Sequence, residues 1–167
     1  LALEIRTFGD PVLKSAATPV ENFDEPLSRL AEEMLLSMRE HEGVGLAATQ
    51  VGRLKRIFVA ALEDEEYAIV NPVIEHRSEE TETDAEGCLS LPGVQVDVER
   101  PVGVRVSGFN PAGEPVHVEA SGLLARIIQH EVDHLDGLTV LDRTDRDSRR
   151  EAMRGLRERM LGQGARR

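Results

Sequence analysis

Leu27, Leu30, Met34 and Met38 recur at three- and four-residue spacing, the period of one face of a helix. Asp24, Glu25 and Pro26 stand at the front of this stretch and Gly43 closes it. An amphipathic helix with acidic residues at its positive end and a glycine stop is therefore expected. The following segment, Gly43-Val44-Gly45-Leu46-Ala47-Ala48-Thr49-Gln50-Val51-Gly52, is too rich in glycine and small residues to continue that helix and reads as a stretch that exposes its backbone. Residues 56–62 and 67–74 are short β-type runs, and Asn71-Pro72 predicts an edge position or a bend in the second. Ser78 to Glu86 is acidic and polar and reads as a loop.

Beyond Cys88 the period changes to two. Val94, Val96 and Val98, then Val102, Val104 and Val106, alternate with polar residues across a break at Arg100-Pro101, as strands with one buried face do. Phe109 to Glu114 carries turn chemistry and Val116 and Val118 alternate again, so residues 102–120 are expected to form a β-hairpin in an antiparallel sheet. Ser121 is placed to cap a helix starting at Gly122 or Leu123. Leu123, Leu124, Ile127, Ile128, Val132 and Leu135 cover most of its circumference, which marks it as buried, and Gly137 is its expected end. A second helix, basic, is expected from about Asp147 to Leu161, with the last six residues frayed.

Length and composition narrow the classes. The 167 residues, 40% hydrophobic and 31% charged, suit one domain, expected over residues 1–167. With no Trp and one Tyr, no module that stacks on nucleic-acid bases is expected, and no DNA partner. Apolar runs such as Ile57 to Leu62 fall short of the roughly 18–20 residues that span a bilayer, so no membrane partner is expected. Leu1 to Arg6 has neither a basic start nor an apolar stretch, so the cytoplasm is the expected compartment. One cysteine, Cys88, makes no internal disulfide and needs another use. The net charge of −11 is uneven. Nine Arg against four acids give residues 143–167 a charge of +5, and the rest of the chain carries −16. A basic tail on an acidic body points to a polyanionic partner.

The chemistry concentrates in the buried helix, at His130-Glu131-Val132-Asp133-His134. His130 and His134 stand one turn apart on one face, the separation at which two imidazoles share a metal, and Glu131 is placed to activate a water beside it. A third ligand is needed. The metzincin pattern would put a histidine at position 140, which is Val140, and the carboxylates of Glu151 and Glu158 lie in the Arg-rich tail helix. Cys88, in Glu86-Gly87-Cys88-Leu89-Ser90, completes a Cys/His/His set with an open fourth position. A peptidase using Glu151 or Glu158, a cysteine hydrolase with Cys88 as nucleophile, and a binding protein without catalysis remain as alternatives.

Three separated segments together resemble the signature motifs of the peptide deformylases: Gly43 to Gln50, Glu86 to Ser90, and Gln129-His130-Glu131-Val132-Asp133-His134. The resemblance spans nearly the whole chain and implies an α+β fold, with a buried central helix surrounded by antiparallel β-sheets and N- and C-terminal helices. It implies a hydrolase that removes the formyl group from N-formyl-methionyl nascent peptides and releases formate. Cys88, His130 and His134 would hold one divalent ion, Fe²⁺ in the cell, replaceable by Zn²⁺, Ni²⁺ or Co²⁺. Glu131 would shuttle the proton, and the Gln50 side-chain amide and Leu89 backbone N–H would stabilise the oxyanion. Gly43, Val44, Gly45, Glu86, Arg100, Leu123 and Ile127 would contact substrate. Residues 146–167, the basic C-terminal helix and tail, would meet the ribosome near the exit tunnel. Two positions depart from the common pattern or vary: Gln95 stands where many members carry arginine, and Arg126 is placed to reach a substrate carbonyl or an acid such as Asp84.

Overall fold

In a computed structural model that describes residues 2–165, and the side chains of residues 2–162, the apolar periods become two faces of one sheet and the helices that cover them. Five antiparallel strands lie in the order β1 (Gly45–Ala47), β2 (Ile57–Leu62), β3 (Glu65–Arg77), β6 (Gly103–Phe109), β7 (Pro115–Ser121). Strands β4 (Thr81–Cys88) and β5 (Leu91–Pro101) form a separate antiparallel ribbon. Helix α1 (Glu25–Glu40) covers one face of the sheet, α2 (Gly122–Leu135) the other, and α3 (Val140–Arg143) and α4 (Arg146–Ala165) pack on β5.

The unbroken apolar run in β2 follows from this sandwiching. Ile57 and Val59 join Leu27, Leu30, Met34 and Met38 of α1 in one core, while Phe58 and Ala60 join Ile127, Ile128, Val132 and Leu135 of α2 in another. A strand buried on both faces shows no alternation. Helix α1 begins as its sequence predicts, with Asp24 accepting from the Leu27 N–H at 3.1 Å. Ser121 does occupy the N-cap position of α2, yet its side chain makes no capping bond. Gly137 ends α2 at a φ of 79°, and a Cβ there would lie 2.7 Å from the Lys14 carbonyl oxygen, so only glycine fits.

Four expectations change. Ser78 to Glu86 is not a loop: most of it belongs to β4, whose side chains from Thr81 to Ala85 are exposed. With no buried face there is no apolar alternation to read, and the strand is held by its backbone pairing with β5. Asn71-Pro72 does bend β3, at a break in register between Val70 and Val73 with Asn71 at φ 51°, but β3 is an inner strand. The bulge accommodates proline there, and the freed Asn71 side chain clamps both backbone groups of Val20, at 2.8 and 3.0 Å. The segment after Gly43 exposes backbone only as far as Gly45; Leu46 to Val51 are buried, the last four in a 3₁₀ turn. Helix α4 is longer than expected, and the fraying expected of residues 162–167 falls partly outside the described residues.

A third core joins Leu91, Val94, Val96 and Val98 of the ribbon to Val140, Leu141 and Leu156. Leu156 is the fully buried side chain of α4. Leu156→Ala is expected to destabilise the protein by about 2–5 kcal/mol, read as a lower urea midpoint at constant slope. An unchanged midpoint would show that α4 contributes nothing to the core.

Candidate metal centre

Three elements meet at the site because α2 packs against both β1 and the β4–β5 ribbon. The Cys88 Sγ lies 3.3 Å from His134 Nε2, which lies 3.1 Å from His130 Nε2, and all three donor atoms fall within 4.8 Å of one another. Metal bonds of about 2.1 Å to nitrogen and 2.3 Å to sulfur set ligand separations of about 3.4–3.6 Å around a tetrahedral ion. The two separations of 3.1 and 3.3 Å approach those values. His130 Nδ1 donates to Glu86 Oε1 at 2.9 Å, which fixes the tautomer and leaves Nε2 free as a ligand. Two imidazole nitrogens facing each other across 3.1 Å can share a proton or a metal ion, and a thiol with two histidines suits a divalent transition metal.

The electrostatics agree. Burial raises the pKa of the Cys88 thiol, but His134 and His130 outweigh it and hold the group well below its ordinary value. Burial likewise disfavours a charged His130, yet Glu131, Cys88 and Glu86 draw positive charge there and raise its pKa well above normal. Glu131 has its pKa raised, chiefly by burial, and its Oε1 is buried with no partner among the described residues. It faces β1: a Cβ on Gly45 would collide with Glu131 Oε2. Gln50 is held by the Ala47 N–H, which donates to its Oε1 at 2.9 Å, so that its Nε2 points at Cys88 Sγ (3.4 Å) and Ser90 Oγ (3.1 Å).

A cleft of about 460 Å³ opens over these atoms, lined by Gly43, Val44, Gly45, Gln50, Glu86, Cys88, Leu89, Leu123, Ile127, His130 and Glu131 among others. Val44 and Leu123 stand at its mouth about half exposed, at 50% and 55%. Gln95 and Arg126 also line it.

Two residues expected to touch substrate are otherwise engaged. Arg100 is buried, donating from Nε and Nη2 to Glu86 (2.6 and 2.9 Å) and from Nη1 to Asp133 (2.9 Å). Glu86 accepts in addition from His130 and from Arg126 Nη1 (2.6 Å). Burial alone would raise the Glu86 pKa, but the hydrogen bonds from His130 and Arg100 bring it down to about 2. Arg126 also donates to the carbonyls of Val98 and Glu82, both at 2.8 Å, so its carboxylate partner is Glu86 and not Asp84. Sequence reasoning missed Ser90 as the Gln50 partner and Asp133 as a charge hub. A buried acid on an apolar helix was a signal for the latter, since it requires a cation nearby. Glu151 and Glu158 are exposed on α4, and the ligand cluster found among the described residues does not include them.

An α+β fold wrapped around a helix bearing His-Glu-x-x-His, with a cysteine from a neighbouring strand, defines a metal-dependent hydrolase with one metal site. A sequence model of the polypeptide deformylase family matches residues 2–150, and the chain belongs to that family. It is 52% identical over 149 residues to a peptide deformylase of Natranaerobius thermophilus, covering 89% of this chain and 96% of that protein. The crystal structure of peptide deformylase from Thermotoga maritima superposes with a TM-score of 0.85 at 44% identity, covering 87% of this chain and 99% of the other. The structure of peptide deformylase from Ehrlichia chaffeensis gives 0.92 at 32% identity, covering 98% and 99%. The enzyme is thus a metallohydrolase of protein biosynthesis that removes the N-terminal formyl group from nascent peptides.

Gly45→Ala is expected to push the Glu131 carboxylate aside and lower turnover by about 10²-fold, the cost of a misplacement near 1 Å, while metal content stays at the wild-type value. Full turnover in this variant would show that Glu131 does not need its present position.

Proposed function

We propose that Cys88, His130 and His134 hold one Fe²⁺ ion and that the cleft above them takes the formyl-methionyl end of a nascent chain. The observation that carries this reading is the convergence of the three donor atoms beside the Glu131 carboxylate and the Gln50 amide. Zn²⁺, Ni²⁺ or Co²⁺ fits the same donors. A bound ion supplies Lewis acidity, polarising the formyl carbonyl and lowering the pKa of water.

The remaining steps belong to side chains and backbone. Glu131 takes a proton from the attacking water and passes it to the departing amine, so that formate and a free amino terminus result. Its raised pKa places it closer to the pH at which such a shuttle works in both directions. The Gln50 Nε2 and the Leu89 N–H donate to the oxyanion that develops on the formyl carbon. Strand β1 is an edge of the sheet, and the backbone of Gly45, flanked by Gly43 and Val44, pairs with an extended peptide by strand addition. Val44, Leu123 and Ile127 enclose the methionine side chain. Glu86 and Arg100, committed to each other and to His130, orient that ligand and do not bind substrate. Residues 1–167 act as one catalytic unit in the cytoplasm, and the basic α4 docks on ribosomal RNA near the exit tunnel.

The test is anaerobic purification with metal analysis, followed by formate release from a formyl-Met peptide. Glu131→Ala is expected to keep the ion and lose about 10²–10⁴-fold in turnover; near-normal turnover would remove Glu131 from the mechanism, and zinc as the only metal would remove iron.

Docking has its own test, for which truncation is unsuitable because Leu156 closes a core. Arg150, Arg154 and Arg157 are exposed on α4. Replacing all three with Glu is expected to abolish ribosome co-sedimentation and leave turnover of a short free peptide intact. Unchanged co-sedimentation would refute the docking role.

A further inference from the structure

The charge pairs around Glu86 do not stop at Arg100. Asp133, one turn beyond His130 on α2, accepts from Arg100 Nη1 at 2.9 Å and also from Arg143 Nε and Nη2 at 3.1 and 2.9 Å. The Arg143 pair is the two-pronged arrangement that fixes a carboxylate in plane. A continuous line of hydrogen bonds therefore runs from Arg143 in α3 through Asp133, Arg100 and Glu86 to the Nδ1 of His130. Asp133, Arg100 and Glu86 are buried, whereas the Arg143 side chain is 47% exposed. We propose that Arg143 is a positioning residue for the metal ligand His130, acting through this line from outside the site.

The physical reason is the sharing of one cation by two buried carboxylates. Arg100 serves Glu86 with two of its donors and Asp133 with a third. Arg143 gives Asp133 a cation of its own, so Asp133 makes no further demand on Arg100. Without Arg143 the guanidinium of Arg100 is drawn toward Asp133, Glu86 turns with it, and the acceptor that sets the ring plane of His130 is no longer aligned. Outer partners of metal-ligating histidines typically matter by about 10–100-fold in metal affinity. The sign is diagnostic. By Coulomb's law, removing a positive side chain near a cation site tightens binding, so a loss of affinity reports orientation and not charge.

This inference rests on the metal-centre reading, and the experiment separates the two. Cobalt affinity is measured by competition with a chelator on the full chain, together with the visible ligand-field spectrum and the melting temperature. Arg143→Gln is expected to weaken cobalt binding by about tenfold, shift the visible bands, and lower kcat with KM unchanged. Arg143→Lys, which keeps the charge but not the fork, is expected to fall between the two; it carries the same test should the glutamine variant not fold. Thr144→Val is the structural control. Thr144 Oγ1 donates to the Asp97 carbonyl at 2.7 Å, anchoring the same segment without touching the line, so its loss should lower the melting temperature and leave cobalt affinity and spectrum unchanged. Wild-type cobalt affinity in Arg143→Gln, or an equal loss in Thr144→Val, overturns the proposal. Absence of cobalt binding by the wild-type protein overturns the metal-centre reading itself, and this inference with it.

Discussion

Helix α2 buries Glu131, Asp133 and His134 within three turns of apolar side chains, and ionised groups out of water are unfavourable unless each finds an opposite charge. Much of the molecule is arranged to meet that demand. Arg100 arrives from β5, Arg143 from α3, and Glu86 from β4, which explains why a two-stranded ribbon separate from the main sheet has to lie against this helix. Cys88 and the two histidines form a cluster that could hold a metal cation. The chain thus pairs Glu86 and Asp133 with arginines, and leaves Glu131, beside the candidate metal centre, without a partner of its own among the described residues.

Legibility from sequence followed the presence of a buried face. Helices α1 and α2 and strands β5 to β7 each keep one or more apolar stripes, and their periods are plain along the chain. Strand β4 has none from Thr81 to Ala85, where it is held by backbone pairing; no side-chain pattern announces such a stretch. The four-residue α3 is likewise too short to show a period. Among the candidate metal donors, His130 and His134 were legible because ligand spacing on a helix is a local property, whereas Cys88, on β4, was reached only as the remaining strong donor and through the family motif. The partners of Glu86 and Asp133 were not legible: Arg100 is 14 residues from the one and 33 from the other. Local pattern carries no information about which buried acid a distant arginine reaches.

Glycine at position 45 links the backbone to the chemistry more tightly than any of the charged groups. The main chain of β1 approaches the Glu131 carboxylate so closely that no side chain fits between them, placing the edge of the sheet directly beside the reacting groups. In the proposed binding mode, a peptide laid along that edge would bring its terminal carbonyl close to the carboxylate.

Strand β1 is only three residues long, with a free edge. Long, open edges invite other chains to pair indiscriminately, and one this short offers too few backbone groups to hold a stranger's strand. In the proposed strand-addition mode, what it would accept is an extended chain end whose own N–H and C=O groups are still unclaimed. A polypeptide has such a terminus only until its first segment folds. That mode would put the reaction in competition with folding, and proteins whose N-terminus enters a sheet or helix early would have the shortest interval in which to be processed.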